Sequence, residues 1–364
     1  MDQIKVLLVE DAEDQQKIFH SSVEVFNDKN KETLTLTFEI ANSLDKARQV
    51  VDGSFDGVIV DLKLGNDENG GNKLIEYLNE TPFRVPVIFV TGFPDLVNDH
   101  PLIIKKRARA SDTYENDFKF INDIKRTGLT HIIGGRGEIE RTLNKVFCTN
   151  LLPQLSAWIE YGRVDSPRTE RALLRHTLNH LLLLLDNDEE KCFPEEVYIS
   201  PPLVPNISTG SIVKKKGEKE FYAILNPACD LVIRRDGLFK TDRILLLEIE
   251  TTKTITDSAL HGITKNEKKE STLQKVLANN HTDYFHYLPK ARLPKNLVFE
   301  GGFLNFRRLS TMSKEDFDKI FDPSEIQISP SFVKNIIARF SSYYTRQGQP
   351  DIDLENITSI YLGS

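Results

Sequence analysis

The chain has 364 residues, enough for two or three domains with separate cores. Its composition, 39% hydrophobic and 28% charged, is that of a globular protein, and a net charge of −7 argues against a general nucleic-acid binder or a partner of anionic membranes. Cys148, Cys192 and Cys229 are an odd, widely spaced set, which argues against a disulfide framework and a structural zinc site and fits a reducing cytoplasm.

The first residues, MDQIKVLLVED, enter a strand without the basic-then-apolar pattern of a signal segment, and no apolar run reaches the roughly eighteen residues of a membrane span. Ile4 to Val9 (IKVLLV) is a run, apolar but for Lys5, that reads as a buried strand, and it ends on Glu10 and Asp11. Ala12 to Phe26 carries Ile18, Phe19, Val23 and Phe26 at helical spacing. Leu34 to Ala41 alternates like a strand, and Ser43 caps a helix running to Val51. The central stretch is Phe55 to Leu64, in which Gly57 to Val60 is again too apolar for a half-exposed strand. It ends on Asp61 and opens into the loop Gly65 to Gly71. A helix from Asn72 to Asn79 precedes Pro82. Val85 to Val90 predicts a further buried strand ending on Thr91 and Gly92, and Pro101 to Ile104 another ending on Lys105 and Lys106. This alternation predicts an α/β doubly wound parallel sheet with right-handed crossovers.

In such a sheet ligands bind at the carboxyl ends of the strands, where Glu10, Asp11 and Asp61 would meet. Their mutual repulsion calls for a hard cation, and Mg²⁺ suits an all-oxygen cluster; read alone, Glu10 and Asp11 equally serve as acids capping the next helix. The Thr91 hydroxyl and a lysine ammonium at the same edge would bind phosphoryl oxygens. With this set of residues, positions 1 to 110 resemble the receiver domain of bacterial response regulators, a flavodoxin-like fold. The resemblance implies that Asp61 accepts a phosphoryl group from a histidine kinase. Mg²⁺ would be held by Glu10, Asp11, Asp61 and the Lys63 carbonyl, with Thr91 and either Lys105 or Lys106 on the phosphate. The chain departs from that pattern in five places. No Pro follows Asp61 in its loop, Gly70 falls one residue late, the gap from Thr91 to the lysines is short, no Pro follows either lysine, and Leu102 and Ile103 stand where the last strand usually has an aromatic residue.

Beyond Lys106 the chain turns polar, and Phe118 to Ile124 predicts a helix. Thr130 to Ile133 leads into Gly134, Gly135, Arg136 and Gly137. A strand there would make this a candidate phosphate loop, but no Lys-Ser/Thr pair follows, so a plain helix-start turn is preferred. Leu143 to Ile159 and Ser166 to about Asp186 predict a helical hairpin, with His176 and His180 one turn apart and no third metal ligand in view. From Val197 short β runs bounded by Pro, Gly and Asn predict a small mixed or antiparallel barrel: Val197 to Ile199, Ser211 to Lys214, Phe221 to Leu225, Leu231 to Arg234 and Ile244 to Ile249. Asp230, Glu248, Glu250 and Lys253 have the residue types of a Mg²⁺ nuclease, but Thr251 and Thr252 stretch the spacing between the last acid and the lysine. Cys229 reads as a small buried residue; Arg339, Tyr343 and Arg346 could make a basic aromatic surface for a phosphate or a partner, but a terminal helix packed on the barrel with exposed arginines is preferred.

The expected organisation is a receiver-like domain over 1–130, a helical linker over 131–190 and a β-rich α+β domain over 191–364. The expected function is that of a cytoplasmic response regulator with no catalytic residues of its own, a noncatalytic output module and a cognate effector protein. A receiver-gated nuclease or hydrolase is the alternative. Receivers with nonstandard output modules resemble those of bacterial conflict and antiphage systems, where one role is that of a phosphate sink.

Overall fold

In a computed structural model of the chain, the residues described are all except 1, 110–112, 135–136, 186–190, 204–205, 235–236, 295–297, 346–353, 355–356 and 359–364. They divide into two compact units, 1–188 and 189–364. In the first unit the elements in chain order are β1 (Asp2–Val9), α1 (Glu13–Lys29), β2 (Leu34–Ala41), α2 (Leu44–Val50), β3 (Gly57–Val60), α3 (Gly70–Glu80), β4 (Val87–Thr91), β5 (Ile103–Ala108) and α4 (Glu115–Arg126). The helices α5 (Leu129–Ile133), α6 (Glu138–Val146), α7 (Leu155–Val164) and α8 (Ser166–Leu185) follow.

The apolar runs form strands because both sheet faces are covered. Leu7, Val9, Val58, Val60 and Phe89 point to one side, where Ala47 of α2 and Leu74, Ile75 and Leu78 of α3 pack on them. Val6, Leu8, Ile59 and Ile88 point to the other, against Phe19, Val23 and Phe26 of α1 and Phe118 and Ile121 of α4. Each fully buried aliphatic side chain contributes about 1.5–3 kcal/mol. All pairings are parallel and the strand order is β2-β1-β3-β4-β5, one of the two common doubly wound orders, with its switch point between β1 and β3.

Four features differ from expectation. The last strand lies later than Pro101 to Ile104: β5 pairs through Thr91↔Ala108, so Lys105 and Lys106 are inside the strand rather than at its end. β5 is an edge strand, where charged side chains are tolerated because only one side is paired. Second, β4 and β5 are joined with only a single 3₁₀ turn, Pro94–Leu96, in place of the usual crossover helix. Thr130 to Ile133 is helical, not a strand. Gly134 ends α5 and Gly137 begins α6, which is the helix-start turn, while Gly135 and Arg136 lie outside the described residues. The segment predicted as one helix over Leu143 to Ile159 is interrupted by a π turn, Phe147–Leu151, and a 3₁₀ turn at Pro153, whose ring cannot continue the α-helical ladder.

The second unit holds β6 (Tyr198–Ile199), β7 (Ser211–Lys214), β8 (Phe221–Ile224), β9 (Ile244–Glu250), α9 (Thr252–Leu260), α10 (Asn266–Leu277), β10 (Phe285–Leu288), β11 (Ala291–Arg292), β12 (Val298–Phe299), β13 (Gly302–Met312), α11 (Lys314–Ile320), β14 (Ile326–Ile328) and α12 (Pro330–Thr345). Its main sheet is antiparallel and open, in the order β10-β13-β9-β8-β7-β14-β6, rather than the predicted barrel. Leu231 to Arg234 contributes only an isolated bridge, Ile233 to Phe239. One sheet face packs Ile212, Leu247, Leu304 and Phe306 against Val333 and Ile336 of α12. The other packs Val213, Ile224 and Leu246 against Phe317 of α11. No helix among the described residues is long and apolar enough to cross a membrane.

Candidate functional site

The carboxyl ends of β1 and β3, on either side of the switch point, bring three carboxylates together. One oxygen each from Glu10, Asp11 and Asp61 lies within 4.8 Å of the others, and no other acidic, His or Cys cluster with metal-ligand spacing occurs among the described residues. Asp61 is set by the ladder itself, its N–H donating to the Val9 carbonyl at 3.0 Å. Gly71, in the first turn of α3, donates to the Leu62 carbonyl at 2.9 Å. A Cβ at Gly71 would stand 2.4 Å from the Asp61 carbonyl oxygen and 2.7 Å from the Phe89 ring, so only glycine lets α3 begin this close to Asp61.

Glu10 and Asp61 are buried, while Asp11 is exposed. Glu10 Oε1 accepts from the Ala12 N–H at 3.1 Å. The N-cap of α1 is Ala12, which makes no side-chain cap bond, and the acids of the first helical turn are Glu13 and Asp14, so Glu10 and Asp11 are not the N-cap of that helix. Burial pushes the Glu10 carboxyl up to about 7; the Ala12 N–H and Arg109 pull it down, and the Asp61 charge adds to the rise. Asp61 Oδ1 is buried and has no hydrogen-bond partner. A buried carboxylate oxygen left unpaired is costly, and a cation or a transferred group is what it would take.

The cation at this site is one that the sequence reading missed. Arg109, the residue after β5, places one guanidinium nitrogen 2.5 Å from Glu10 Oε2 and 2.7 Å from Asp61 Oδ2. Its backbone N–H donates to the Thr91 carbonyl at 2.9 Å, which fixes it at the strand end. Burial alone would lower its pKa, but the two carboxylates outweigh that and hold it above its usual value. Thr91 is fully buried at the end of β4, and its hydroxyl oxygen accepts from the Phe93 N–H at 3.3 Å.

Lys105 and Lys106, the expected phosphate ligands, are not brought to the acids. Lys105 Nζ bonds Asp117 Oδ1 at 2.8 Å, beside Arg107, whose guanidinium reaches Asp117 Oδ2 at 2.7 Å. Lys106 Nζ bonds the Val97 carbonyl at 2.8 Å and Asp99 at 2.6 Å. The side chain of Lys63, whose carbonyl is the fourth expected metal ligand, pairs with Glu68 at 3.3 Å and lies over the Phe93 ring.

The other candidates do not assemble a reactive centre among the described residues. Glu248 and Glu250 both face Arg308, at 2.7 and 3.3 Å, and Asp230 faces Lys240 at 3.6 Å; Lys253 lines a cavity instead. Cys229 is exposed, not buried, in a 3₁₀ turn after Pro227. His176 and His180 pack on each other at 4.4 Å with Trp158 beside them. Arg339 donates to the carbonyls of Thr282 and Phe285, Tyr343 pairs with Arg307, and Arg346 lies outside the described residues.

No family model matches the chain, and no curated protein matches it. Among solved structures the chain is similar to receiver domains of response regulators. The CheY-like receiver domain from Methylobacillus flagellatus is 19% identical, with 33% of this chain and 99% of that one covered and a TM-score of 0.27. A response regulator receiver domain protein from Clostridium thermocellum is 20% identical, with 35% and 98% covered and a TM-score of 0.27. The receiver domain of the Francisella response regulator 1452 is 16% identical, with 34% and 98% covered and a TM-score of 0.25.

Proposed function

We propose that the first unit is a phosphoacceptor that takes a phosphoryl group on Asp61 from a phosphohistidine of a histidine kinase. The observation that carries this reading is the buried, unpartnered Oδ1 of Asp61, at a strand end beside two further carboxylates and an arginine. In the transfer, a carboxylate oxygen of Asp61 attacks phosphorus, and the P–N bond to the donor histidine breaks with its electron pair going to the ring nitrogen. The donor set is all-oxygen and anionic, which fits Mg²⁺, and Glu10, Asp11 and Asp61 with the Lys63 carbonyl would hold it. Mg²⁺ bound there would neutralise charge gathering on the phosphoryl oxygens. Arg109, already on Asp61 Oδ2, would follow the new negative charge as it moves outward from the carboxylate, and the Thr91 hydroxyl, at the end of the neighbouring strand β4, would donate to it.

On this reading the second unit is a binding module for an effector rather than a catalyst, since the acids that would serve a nuclease are each held by a cation. The test is incubation with phosphoramidate, a P–N donor, and Mg²⁺, followed by mapping of the modified residue. Label on Asp61 that Asp61→Asn abolishes is the expected result. Label that persists at full level in that variant would overturn the assignment. Phosphorylation-dependent nuclease activity, lost in Glu248→Ala and Glu250→Ala, would replace the binding module with an enzyme.

A further inference from the structure

A cavity of about 910 Å³ opens in the second unit, at the upper end of the roughly 300–1,000 Å³ found for small-molecule sites. Its floor is the sheet face itself: Ile212 of β7, Ile249 of β9 and Ile326 of β14, with Phe299 of β12 standing edge-to-face on Phe221 at 5.4 Å. Its rim carries Lys214 of β7, Lys219 in the turn that follows it and Lys253 of α9, and among the described residues none of the three ammonium groups has an ion-pair or hydrogen-bond partner. Their neighbour Lys215 shows the contrast, being paired with Glu218 and Glu220. Three carboxylates complete the rim: Glu300, which is held by Lys290 at 2.8 Å, and Asp322 and Glu325, and none of them is paired with those lysines.

We propose that this cavity binds a nucleotide. A planar ring matches the apolar floor and its aromatic pair. A phosphate matches the unpaired ammonium groups, as compact charges on flexible stems. Ribose hydroxyls or an exocyclic amine match carboxylates that can only accept. A fatty chain would leave the five unpaired charged groups of the rim unanswered, and an inorganic anion would leave most of the 910 Å³ unfilled. The nucleotide is the class that uses all three parts, and this site is independent of the phosphoacceptor.

The test is calorimetric titration of the full chain with AMP, ADP and GMP, and with the two halves, adenosine and inorganic phosphate. At least one nucleotide should bind with a stoichiometry near one, about tenfold or more tighter than either half. Lys214→Gln with Lys253→Gln should weaken it about tenfold, the worth of a charge-assisted hydrogen bond. Val298→Trp, at a position 42% exposed on the cavity wall, should fill the space and abolish binding with the melting curve unchanged, while Lys268→Gln on α10 should change nothing. Saturation by no nucleotide at about 1 mM, equal affinity for AMP and adenosine, or unaltered affinity in the double lysine variant would each overturn the proposal.

Discussion

Replacing Arg109 by methionine keeps an unbranched stem and removes the one guanidinium that touches both Glu10, at 2.5 Å, and Asp61, at 2.7 Å. Unit charges about 4 Å apart interact by about 4 kcal/mol at an effective dielectric constant of 20. Two such attractions must be reduced for the arginine's own desolvation and for screening at a side chain that is 28% exposed, which leaves about 3 kcal/mol. Without a divalent cation the variant should therefore be less stable by about that amount, because three carboxylates then face one another unneutralised. Its affinity for Mg²⁺ should rise by about tenfold to a hundredfold, since the ion no longer competes with a guanidinium for the same oxygens. Calorimetric titration with Mg²⁺ and urea denaturation with and without Mg²⁺ measure both effects. Equal Mg²⁺ affinity in the two proteins, together with a stability deficit that Mg²⁺ does not narrow, would show that Arg109 and the cation do not share these carboxylates.

Asp117→Asn should cost about 3–5 kcal/mol in urea denaturation, because Asp117 is buried and neutralises both Lys105 and Arg107. Gly71→Ala should cost about 1–3 kcal/mol by overpacking and slow the phosphoramidate labelling of Asp61, whose carbonyl the new methyl group would push. Stability of the second unit should fall in acid through His286, whose ionisation burial, with Arg339 nearby, lowers from 6.5 to about 4. The unfolded chain then binds the extra proton first, so the contribution is complete above pH 6.5 and is lost as pH falls towards 4, about 3 kcal/mol in all. Urea midpoints at about pH 7.5 and 4.5 test this, and His286→Asn should flatten the difference between them.

The strands that were legible in the sequence are those whose surroundings leave a one-dimensional trace. β1, β3 and β4 are covered on both faces; β3 and β4 read as unbroken apolar runs, β1 as a run apolar from Val6 onward, and β2 reads by its alternation. The acids at the ends of β1 and β3 followed directly from these strands. β5 left no such trace, since half of it is Lys105, Lys106 and Arg107, whose charges are answered by Asp117 and Asp99 from elsewhere in the fold. Length was the available signal. A four-residue run, Pro101 to Ile104, is too short to partner β4 as far as Thr91, and carrying the register onward reaches Ala108 and then Arg109. In the second unit β7 was legible to the residue, but the openness of the sheet was not. It depends on β13, whose pairing with β9 shifts register between Leu304 and Leu309, a long-range property with no local pattern.

The two lysines displaced from the site have work that explains their positions, and this work bears on how the site would communicate. Lys106 holds the loop after Thr91 by the Val97 carbonyl and by Asp99, and Asn72 of α3 grips the same loop, donating to the Leu96 carbonyl at 3.3 Å and accepting from the Asn98 N–H at 3.1 Å. Lys105 and Arg107 hold α4 through Asp117. Two residues at the strand ends of this site begin tethered segments: Thr91, at the end of β4, begins the loop that stands where a crossover helix would, and Arg109 begins the connection to α4. A phosphoryl group on Asp61, as proposed, would bring a charge of about −2, and its pull on Thr91 and Arg109 would act on both segments at their roots. Because each segment is also anchored at a second point by a lysine, displacement at the root would strain or break that anchor, and on the proposed function the loop from Gly92 to Leu102 and the start of α4 would be the surfaces that respond to phosphorylation.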